Sequence, residues 1–389
     1  MKKILIFSLA YYPRVSGAEI AVKEITDRIA PEDIEFHLIT LRFSTSDKKK
    51  EKIGNIQVHR IGFGGAHLSK ILYMPLAAFK AAALNRTHRF NALWAVMSYM
   101  LVPIQIARVL GVRAPYLLSL QEGDTFEHMF ERWSVRPLLP LLRKGFREAS
   151  AVHAISNFLA EWAPKMGYRG HIEVVPNGAS VQSAQDYSEE DLSALKKAVG
   201  KSDTDIYLIT VGRLVHQKAQ DQVIRALPLL PTSIRYLIVG EGSDRNMLEK
   251  LAAELGVRER VVFVGQVDRT MTAKYRKISD IFVSPSRSEG QGIALVSAMA
   301  AGLPVVATQE GGIADFLFDA KRNPEKSPTG WAVDKDNPEQ IAAAVKEIIA
   351  SPEHTKKVVE NARTLARGKF DWAAIVKTMR ERIFSSILA

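Results

Sequence analysis

The 389-residue sequence contains no cysteine. This absence excludes disulfides, thiolate metal sites and cysteine nucleophiles, and it fits a protein of the reducing cytoplasm. Long apolar runs are also missing, because no stretch approaches the ~18 residues that a membrane-spanning helix requires. Two lysines precede an apolar run at the start, but no small-residue cleavage site follows and Pro13 interrupts the pattern. We therefore interpret the start as a first β-strand and not as a signal peptide.

Acidic residues are few in the first half of the chain. Residues 1–180 carry 24 lysines and arginines against 15 aspartates and glutamates, and residues 181–389 carry 29 against 27, which gives +9 and +2. The basic half favours an anionic partner such as a phospholipid surface, a phosphorylated acceptor or nucleic acid, and ordinary solubility charge is the alternative. Since no nucleic-acid-binding module accompanies the charge, we expect no nucleic-acid partner. The charged run at residues 48–52 is interpreted as a solvated loop.

The chain is too long for a single hydrophobic core, so two domains are expected. Short β-branched runs alternate with helical patterns, which predicts an α/β fold with two Rossmann-like, doubly wound parallel sheets facing across a cleft. A Pro/Asn/Gly turn signal near residue 178 separates domains 1–178 and 179–370, and a helix over 371–389 is expected to pack back on the N-terminal domain. The predicted strands are Ile4–Leu9, Ile34–Leu41, Ile56–Ile61, Ala92–Met97, Tyr116–Leu120, Ala151–Ile155 and Ile172–Val175, then Ile206–Val211, Tyr236–Val239, Val261–Val264, Ile281–Val283 and Val305–Ala307.

A glycine-punctuated loop follows the predicted strand Ile281–Val283. Gly290 and Gly292 permit close backbone approach, and the helix that follows offers unpaired N–H groups and a positive dipole end, which suits a phosphate. Glu289 at the start of the loop can accept hydrogen bonds from sugar hydroxyls. The alternative is a tight strand-to-helix turn with an exposed carboxylate.

Two cations follow the first strand of the second domain. Arg213 can grip a phosphate with two hydrogen bonds, and Lys218 adds a point charge, so the pair can neutralise a diphosphate. Surface charges on a loop are the alternative. The loops around Glu241 and Gly265, which follow the next two strands, can line a nucleotide base through backbone groups, although each signal is weak by itself.

In this order and spacing, these segments resemble the family-4 retaining glycosyltransferases of the GT-B fold, also called glycosyl transferases group 1. The resemblance covers nearly the whole chain and is much more specific than any single segment. It implies an acceptor-binding N-terminal domain and a C-terminal domain that binds the nucleotide sugar. The segments that carry it are Ser16-Gly17-Ala18-Glu19, Val175-Pro176-Asn177-Gly178, Gly212-Arg213 with Lys218, Glu289-Gly290-Gln291-Gly292-Ile293, and Gly311-Gly312-Ile313.

The resemblance also implies the reaction. A sugar moves from a nucleoside-diphosphate donor, UDP- or GDP-linked, to a hydroxyl acceptor, with retention of anomeric configuration. The acceptor predicted from the basic and apolar stretches of the first domain is a lipid-linked or cell-envelope glycan. Arg213 and Lys218 would bind the diphosphate, and Glu289 would contact the transferred sugar. The further donor-binding positions are Gly17, from a loop that closes over the donor, and Gly212, Glu241, Gly265, Gln291, Gly292, Ile293 and Ser297.

Two positions depart from the family pattern. Ser297 stands where the family usually has a second glutamate that holds the ribose hydroxyls, so that contact must weaken, pass through water or come from elsewhere. Gln121 stands where a histidine is common near the reacting sugar, and an amide cannot donate a proton as an imidazolium does. Glu122 and Asp124 beside it are candidates for acceptor binding, and solvated loop carboxylates are the alternative.

No metal or other cofactor is expected. The sequence shows no His/Asp/Glu cluster with metal-ligand spacing and no Asp-x-Asp pair. His153, inside an apolar strand, is interpreted as a satisfied interior side chain, and His216 either borders the site or is exposed on its loop. Two other functions stay open: a degenerate sugar-nucleotide-binding protein of the same fold, and an oxidoreductase, whose Gly-x-Gly-x-x-Gly fingerprint is absent after the first strand.

Two stretches of the first domain interleave cations with apolar and aromatic residues, namely residues 67–89 and 132–147. Such segments can lie in a membrane interface, which predicts a peripheral protein on the inner face of the membrane. The alternative is a pair of amphipathic helices that pack on the sheet. Pro75, Pro137 and Pro140 argue against long regular interfacial helices.

Overall fold

The computed structural model describes the backbone of all 389 residues and the side chains of all except His67, Val181 and Ala184. It contains two compact units, each an α/β fold of the predicted class. The first unit joins Met1–Asn177 with Trp372–Ala389, and the second is Gly178–Asp371. These limits lie one residue from the sequence-based limits. Among the described residues, no helix has the length and hydropathy of a bilayer-crossing segment.

The first unit is built on an eight-stranded sheet in the order β3-β4-β2-β1-β5-β6-β7-β8. All neighbours are parallel except β3, which runs antiparallel to β4 at the edge. The predicted solvated loop over residues 48–52 is therefore wrong in part, because alternating charged residues form this edge strand. The strands are β1 Lys2–Phe7, β2 Ile34–Leu41, β3 Lys50–Ile53, β4 Ile56–Ile61, β5 Ala92–Val96, β6 Tyr116–Leu120, β7 Ala151–Ala154 and β8 Ile172–Val174.

Helices cover both faces of this sheet, so its central strands β5 and β6 are buried along their whole length and are mostly apolar. Pro75 lies inside the 22-residue helix α2 and does not end it, contrary to the expectation from sequence. The helices are α1 Gly17–Thr26, α2 His67–His88, α3 Leu101–Val109, α4 Phe126–Phe130, α5 Leu139–Arg147, α6 Asn157–Ala160 and α7 Trp162–Lys165, with 3-10 turns at Ser98–Met100 and Arg136–Leu138.

The C-terminal segment belongs to the first unit. Its apolar residues recur every four positions and are all buried, in one cluster with strands β1 and β2: Ile375, Met379, Ile383 and Ile387. A strict spacing of four drifts around an α-helix of 3.6 residues per turn, and the wider π-helical turn Met379–Phe384 compensates for that drift.

The second unit contains a six-stranded, fully parallel sheet in the order β11-β10-β9-β12-β13-β14. Strand β14, a three-residue edge strand, is not predicted from the sequence. The strands are β9 Ile206–Val211, β10 Ile234–Val239, β11 Val261–Gly265, β12 Ile281–Ser284, β13 Val305–Thr308 and β14 Trp331–Val333. The helices are α8 Glu189–Ala198, α9 Gln220–Ala226, α10 Arg245–Glu254, α11 Arg269–Lys277, α12 Ile293–Ala301, α13 Pro338–Ala350 and α14 Pro352–Lys369; the final helices of the chain, in the first unit, are α15 Trp372–Thr378 and α16 Ser385–Leu388.

The strand order of the second unit creates a point where the chain reverses its direction of winding. From β9 the chain passes to β10 and β11 on one side, and then crosses to β12 on the other side of β9. Ligands of open α/β sheets bind outside the carboxyl ends of the strands at such a point. The loops that start there are residues 212–219 after β9 and residues 285–292 after β12.

Candidate active site

Two of the predicted site residues meet at this point of reversal. Lys218, in the 3-10 turn His216–Lys218, donates a hydrogen bond from Nζ to Oε1 of Glu289. Ser286 Oγ donates to the same oxygen at 3.2 Å. The side chains are 19% and 12% exposed, so the pair is shielded and still open to a ligand. An anion that binds Lys218 would therefore compete with Glu289 for the ammonium group.

Backbone hydrogen bonds hold the two loops in register. The amide of Arg287 donates to the carbonyl of Gln217 at 2.8 Å, and Gln217 Nε2 donates to the carbonyl of Ser288 at 3.1 Å. The amide of Gly312 donates to the carbonyl of Glu289 at 2.9 Å. The segment Gly311-Gly312-Ile313, which the sequence analysis singled out, therefore supports the backbone of Glu289.

Arg287 is a site residue that the sequence analysis missed. Its guanidinium Nη2 lies 2.9 Å from Asp221 Oδ2 and 2.6 Å from Asp336 Oδ1, and its Nη1 donates to the carbonyl of His216. Burial lowers the pKa of Arg287 and the two carboxylates raise it, with a net rise. Since its partners are 66 and 49 residues away, no local pattern could identify this connection between the two loops.

Arg213 remains available for a ligand. It is exposed, its backbone carbonyl accepts a hydrogen bond from Gln220 Nε2 at 2.9 Å, and its guanidinium has no hydrogen bond or ion pair in the described part of the chain. Arg213 and Lys218 thus lie on one loop, with only the second paired.

Glycines allow the loop after β10 to approach the loop after β9 closely. A Cβ on Gly240 would lie 1.9 Å from the carbonyl oxygen of Gly212, and a Cβ on Gly242 would lie 2.1 Å from that of Leu214, so any other residue would force the loops apart. A Cβ on Gly265 would lie 3.2 Å from Glu241 Oε1, which also pairs with Arg245. The predicted donor-binding residues Gly212 and Glu241 therefore lie on the loops after β9 and β10, and Gly265 is the last residue of the neighbouring strand β11.

Helix α12 begins directly after the loop of Glu289. Gly292 precedes it with φ of 90°, a conformation that favours glycine, and no side chain caps the first turn. Its carbonyl accepts hydrogen bonds from the amides of Leu295 and Val296 at 3.0 and 3.1 Å. Gln291 is buried and Ile293, the first helical residue, is partly exposed. The uncapped helix start is a site of positive partial charge beside Glu289.

Ser297 requires a correction. It is 1% exposed, its hydroxyl donates to the carbonyl of Ile293 at 2.8 Å, and it accepts a hydrogen bond from the amide of Ser180 at 3.0 Å. The hydroxyl is therefore engaged with the backbone on both sides. Direct contact between Ser297 and a ribose, one of the alternatives from sequence, is inconsistent with this arrangement.

The acceptor candidates of the first unit follow strand β6. Glu122 is buried, and its carboxylate accepts hydrogen bonds from the amides of Ser98 at 2.5 Å and Gln121 at 2.8 Å. Burial raises the pKa of Glu122. The solvated-loop alternative is therefore wrong for Glu122, and its two oxygens anchor the backbone instead of facing an acceptor. Asp124 is partly exposed, and its role stays a prediction.

The side-chain amide nitrogen of Gln121 is available for a ligand. Its Oε1 accepts a hydrogen bond from Asn177 Nδ2 at 3.0 Å, whereas its Nε2 is buried and has no hydrogen-bond partner among the described residues. A buried donor without a partner is costly, and a ligand can satisfy it. Gly17, the other predicted donor residue of this unit, is the first residue of α1, after Ser16, whose amide donates to Glu19 at 2.6 Å.

The interpretation of His153 as a satisfied interior residue is confirmed. Ser119 Oγ accepts a hydrogen bond from Trp94 Nε1 at 2.8 Å and lies 3.0 Å from His153 Nδ1, and His153 Nε2 lies 2.7 Å from the carbonyl of Val175. A neutral ring with its proton on Nε2 satisfies every group. Burial lowers the pKa of His153 to about 4. His216, by contrast, is exposed on its loop.

Family models match both units. The model described as "Glycosyl transferases group 1" matches residues 192–365, and that described as "Glycosyl transferase 4-like domain" matches residues 16–178. Counted inclusively, the two matches cover 174 and 163 residues, and together they contain every predicted site residue.

Individual proteins of known name are also similar. An uncharacterized glycosyltransferase of Methanocaldococcus jannaschii is 32% identical over 53% of this chain, and the match spans about half, 52%, of that protein. A GDP-mannose-dependent monoacylated α-(1-6)-phosphatidylinositol monomannoside mannosyltransferase of Corynebacterium glutamicum is 27% identical, with 95% of each chain covered. The crystal structure of HepE of Anabaena, in complex with UDP and glucose, has a TM-score of 0.79 at 20% identity and covers 99% of this chain and 100% of that one, which shows a common fold.

Proposed function

Since this chain belongs to the group 1 glycosyltransferases, of GT-B type, we propose that it transfers a sugar from a nucleoside-diphosphate sugar to a hydroxyl acceptor with retention of anomeric configuration. The observation that carries the proposal is the contact between Lys218 and Glu289 at the carboxyl ends of β9 and β12. A cation for a phosphate and an acceptor for sugar hydroxyls lie side by side where such sheets bind ligands.

The two cations and the start of α12 supply electrostatic stabilisation. In the proposed reaction, the bond between the anomeric carbon and the β-phosphate oxygen breaks, and a bond forms between that carbon and the acceptor oxygen. The acceptor proton passes to the departing diphosphate. Arg213, Lys218 and the uncapped amides of α12 oppose the negative charge that develops on the leaving oxygen, which is the most effective place for fixed positive groups. This route needs no protein nucleophile and no metal.

Binding of the donor would rearrange the ion pair. A diphosphate at Lys218 weakens its bond to Glu289, and Ser286 remains as a hydrogen-bond donor to the carboxylate. Glu289 is then free to accept hydrogen bonds from hydroxyls of the transferred sugar. The backbone bonds from Gly312 and between the two loops keep it in place during this exchange.

The donor class is UDP- or GDP-linked. The similar C. glutamicum protein is named as GDP-mannose-dependent, and the similar Anabaena structure holds UDP and glucose. Glu241, on the loop after β10, and Gly265, at the end of β11, are the proposed contacts for the nucleoside.

The proposed acceptor is attached to a lipid, because α2 exposes a row of apolar side chains. They lie between 37% and 61% exposed, on the face opposite the one that packs on the sheet. Tyr73 on the inner face donates hydrogen bonds to the carbonyls of Ser8 and Ile39 at 3.0 and 2.9 Å, which places this part of α2 beside the carboxyl end of β1. The residues of the row are Leu68, Ile71, Leu72, Leu76 and Phe79.

The same helix carries the exposed cations Lys70 and Arg86, within a unit of strongly basic composition. Apolar side chains that enter the acyl boundary and cations at anionic headgroups are the two components of interfacial binding. The sequence left two alternatives for this segment, a membrane-interface helix and an amphipathic helix that packs on the sheet. Helix α2 fits both, since its inner face packs on the sheet and its outer face is left for a membrane. We propose a peripheral protein on the inner face of the membrane.

A screen of nucleoside diphosphates and their sugars tests the function. A ligand that binds the folded state raises the melting temperature by mass action, and an active transferase also releases nucleoside diphosphate when acceptor lipid is added. Binding without release would favour the degenerate sugar-nucleotide-binding alternative. Absence of any stabilisation by UDP, GDP or their sugars would refute the donor site.

A further inference from the structure

Three histidines and a glutamate meet beside the amino-terminal half of strand β2 in the first unit. Glu35 and His37 lie at the start of β2, His59 lies on β4, and His88 is the last residue of α2. Strand pairing places His59 opposite Ile39 on β2, and α2 returns the chain to this end of the sheet before β5 begins. Separations of 22 and 51 residues from His37 explain why the sequence shows no metal-ligand spacing.

The geometry of three of them suits a metal ion. One ligand atom each from Glu35, His37 and His88 lies within 4.8 Å of the other two. Ligands at about 2.0–2.2 Å from a tetrahedral Zn²⁺ are about 3.3 Å apart, so small side-chain rotations bring these atoms into range. Two imidazoles and a carboxylate are a donor set that zinc accepts, and they leave a fourth position open.

Surrounding groups orient the His37 ring. Its Nδ1 lies 3.1 Å from Nε2 of His59, while its Nε2 points at Glu35 Oε1 at 2.6 Å. In metal sites, the ring nitrogen of a histidine that does not bind the metal usually donates a hydrogen bond to a neighbouring group. This bond fixes the tautomer and the orientation of the ring. Phe90 packs edge-on against the His37 ring at 5.2 Å.

His88 distinguishes a metal site from a hydrogen-bonded core network. Its ring lies 4.3 Å from the His37 ring and stacks on Phe90 at 5.7 Å, yet its nitrogens have no hydrogen-bond partner among the described residues. Glu35, His37 and His59 bond to one another, and Lys3 Nζ lies 3.3 Å from the other oxygen of Glu35, so this network gives the nitrogens of the partly exposed His88 no protein partner among the described residues. A cation shared with His37 and Glu35 accounts for its position.

We propose that Glu35, His37 and His88 bind one divalent transition-metal ion of the zinc class, with His59 as a positioning residue for His37. The ion would connect the end of α2 to strand β2. It would lie at the amino ends of the strands, whereas Gln121 and the start of α1 lie at the carboxyl ends of the same sheet. Its role is therefore to stabilise the unit and not to take part in sugar transfer.

The test is a titration of the full-length, tag-free and chelator-treated protein with Zn²⁺, in competition with a chromogenic chelator. We expect one equivalent to bind, with affinity reduced at least about tenfold in Glu35→Gln and in His88→Gln. His171→Gln is the matched control, because His171 is an exposed histidine 3.1 Å from a glutamate in the same unit, and it should bind Zn²⁺ as the wild type does. Zn²⁺ should raise the melting temperature of the wild type and the control only.

Absence of stoichiometric Zn²⁺ binding by the wild type would overturn the proposal, as would equal affinity in the wild type and both ligand variants. His88 and Glu35 are only partly buried, so both variants are expected to fold. Circular dichroism and the melting temperature of the metal-free proteins separate loss of a ligand from loss of structure. His59→Gln should weaken binding without abolishing it, and a stronger effect than that of His88→Gln would also contradict the assignment.

Discussion

Replacement of Lys218 by alanine should remove most of the turnover and leave the fold intact. The variant loses the ammonium group that Glu289 holds at the carboxyl end of β9. Glu289 keeps the hydrogen bond from Ser286 at 3.2 Å and the support of its carbonyl by Gly312 at 2.9 Å. The loop therefore retains its shape while the positive charge that faces the departing diphosphate disappears.

The magnitudes for activity and stability differ. Removal of one preorganised electrostatic donor typically costs about 10²–10³ in turnover, or about 3–4 kcal/mol of transition-state stabilisation. Loss of a partner from a fully buried ion pair costs about 3–5 kcal/mol of stability, but these side chains are 19% and 12% exposed and therefore partly screened. We expect the free energy of unfolding to fall by only about 1 kcal/mol.

The assay is release of nucleoside diphosphate at saturating donor, with urea unfolding of the same preparations. Lys321→Ala is the matched control, because Lys321 forms an ion pair with Glu347 at 2.8 Å on the surface of the same unit and should retain both activity and stability. Turnover of Lys218→Ala within about twofold of the wild type would refute the electrostatic role. A loss of turnover that matched the fraction of unfolded protein would refute it equally.

Other predictions concern the buried serine, the interior histidine and the exposed row of α2. Ser297→Ala should lower the free energy of unfolding by about 1–3 kcal/mol without a change in donor affinity, because it leaves the amide of Ser180 unpaired. Stability should fall by about 3 kcal/mol as the pH falls from about 6.5 to about 4, because the unfolded state protonates His153 before the folded state does, and His153→Gln should flatten this dependence. Ile71→Ser with Phe79→Ser should reduce co-sedimentation with anionic vesicles at low salt, with the melting temperature unchanged.

Each of these has a contrary outcome. If Ser297→Ala bound the donor more weakly than the wild type and had an unchanged free energy of unfolding, Ser297 would contact the ribose directly after all. A pH dependence that is the same in the wild type and in His153→Gln would assign the acid sensitivity to other groups. Ile349→Ser, at an exposed apolar position of the second unit, is the control for the vesicle assay. If that variant reduced sedimentation as much as the α2 variant does, the loss would not be specific to the exposed row.

The sequence predicts the central strands of both sheets correctly, but it does not reveal two short strands at the sheet edges. All twelve predicted strands are present. A strand that is buried on both faces of a parallel sheet appears in the sequence as a short, continuous apolar run, and such runs are easy to recognise between helical patterns. The two missed strands, β3 and β14, lie at sheet edges, where a strand is short and its residues are charged or few. The π-helical turn at Met379–Phe384 was visible only as an apolar spacing of four.

The sequence by itself determined the α/β class, the two domains and the positions of Arg213, Lys218 and Glu289 just after strands, since strand periodicity and glycine loops are local properties. Tertiary structure alone decided which polar groups are available. It brings Lys218 into contact with Glu289, and it hydrogen-bonds the Ser297 hydroxyl to the amide of Ser180. It also hydrogen-bonds the buried carboxylate of Glu122 to backbone amides and places Glu35, His37 and His88 close together. The physical reason is that a hydrogen bond or ion pair depends on distances of a few ångströms between residues far apart in the chain, and only the packing of the strands and helices sets those distances.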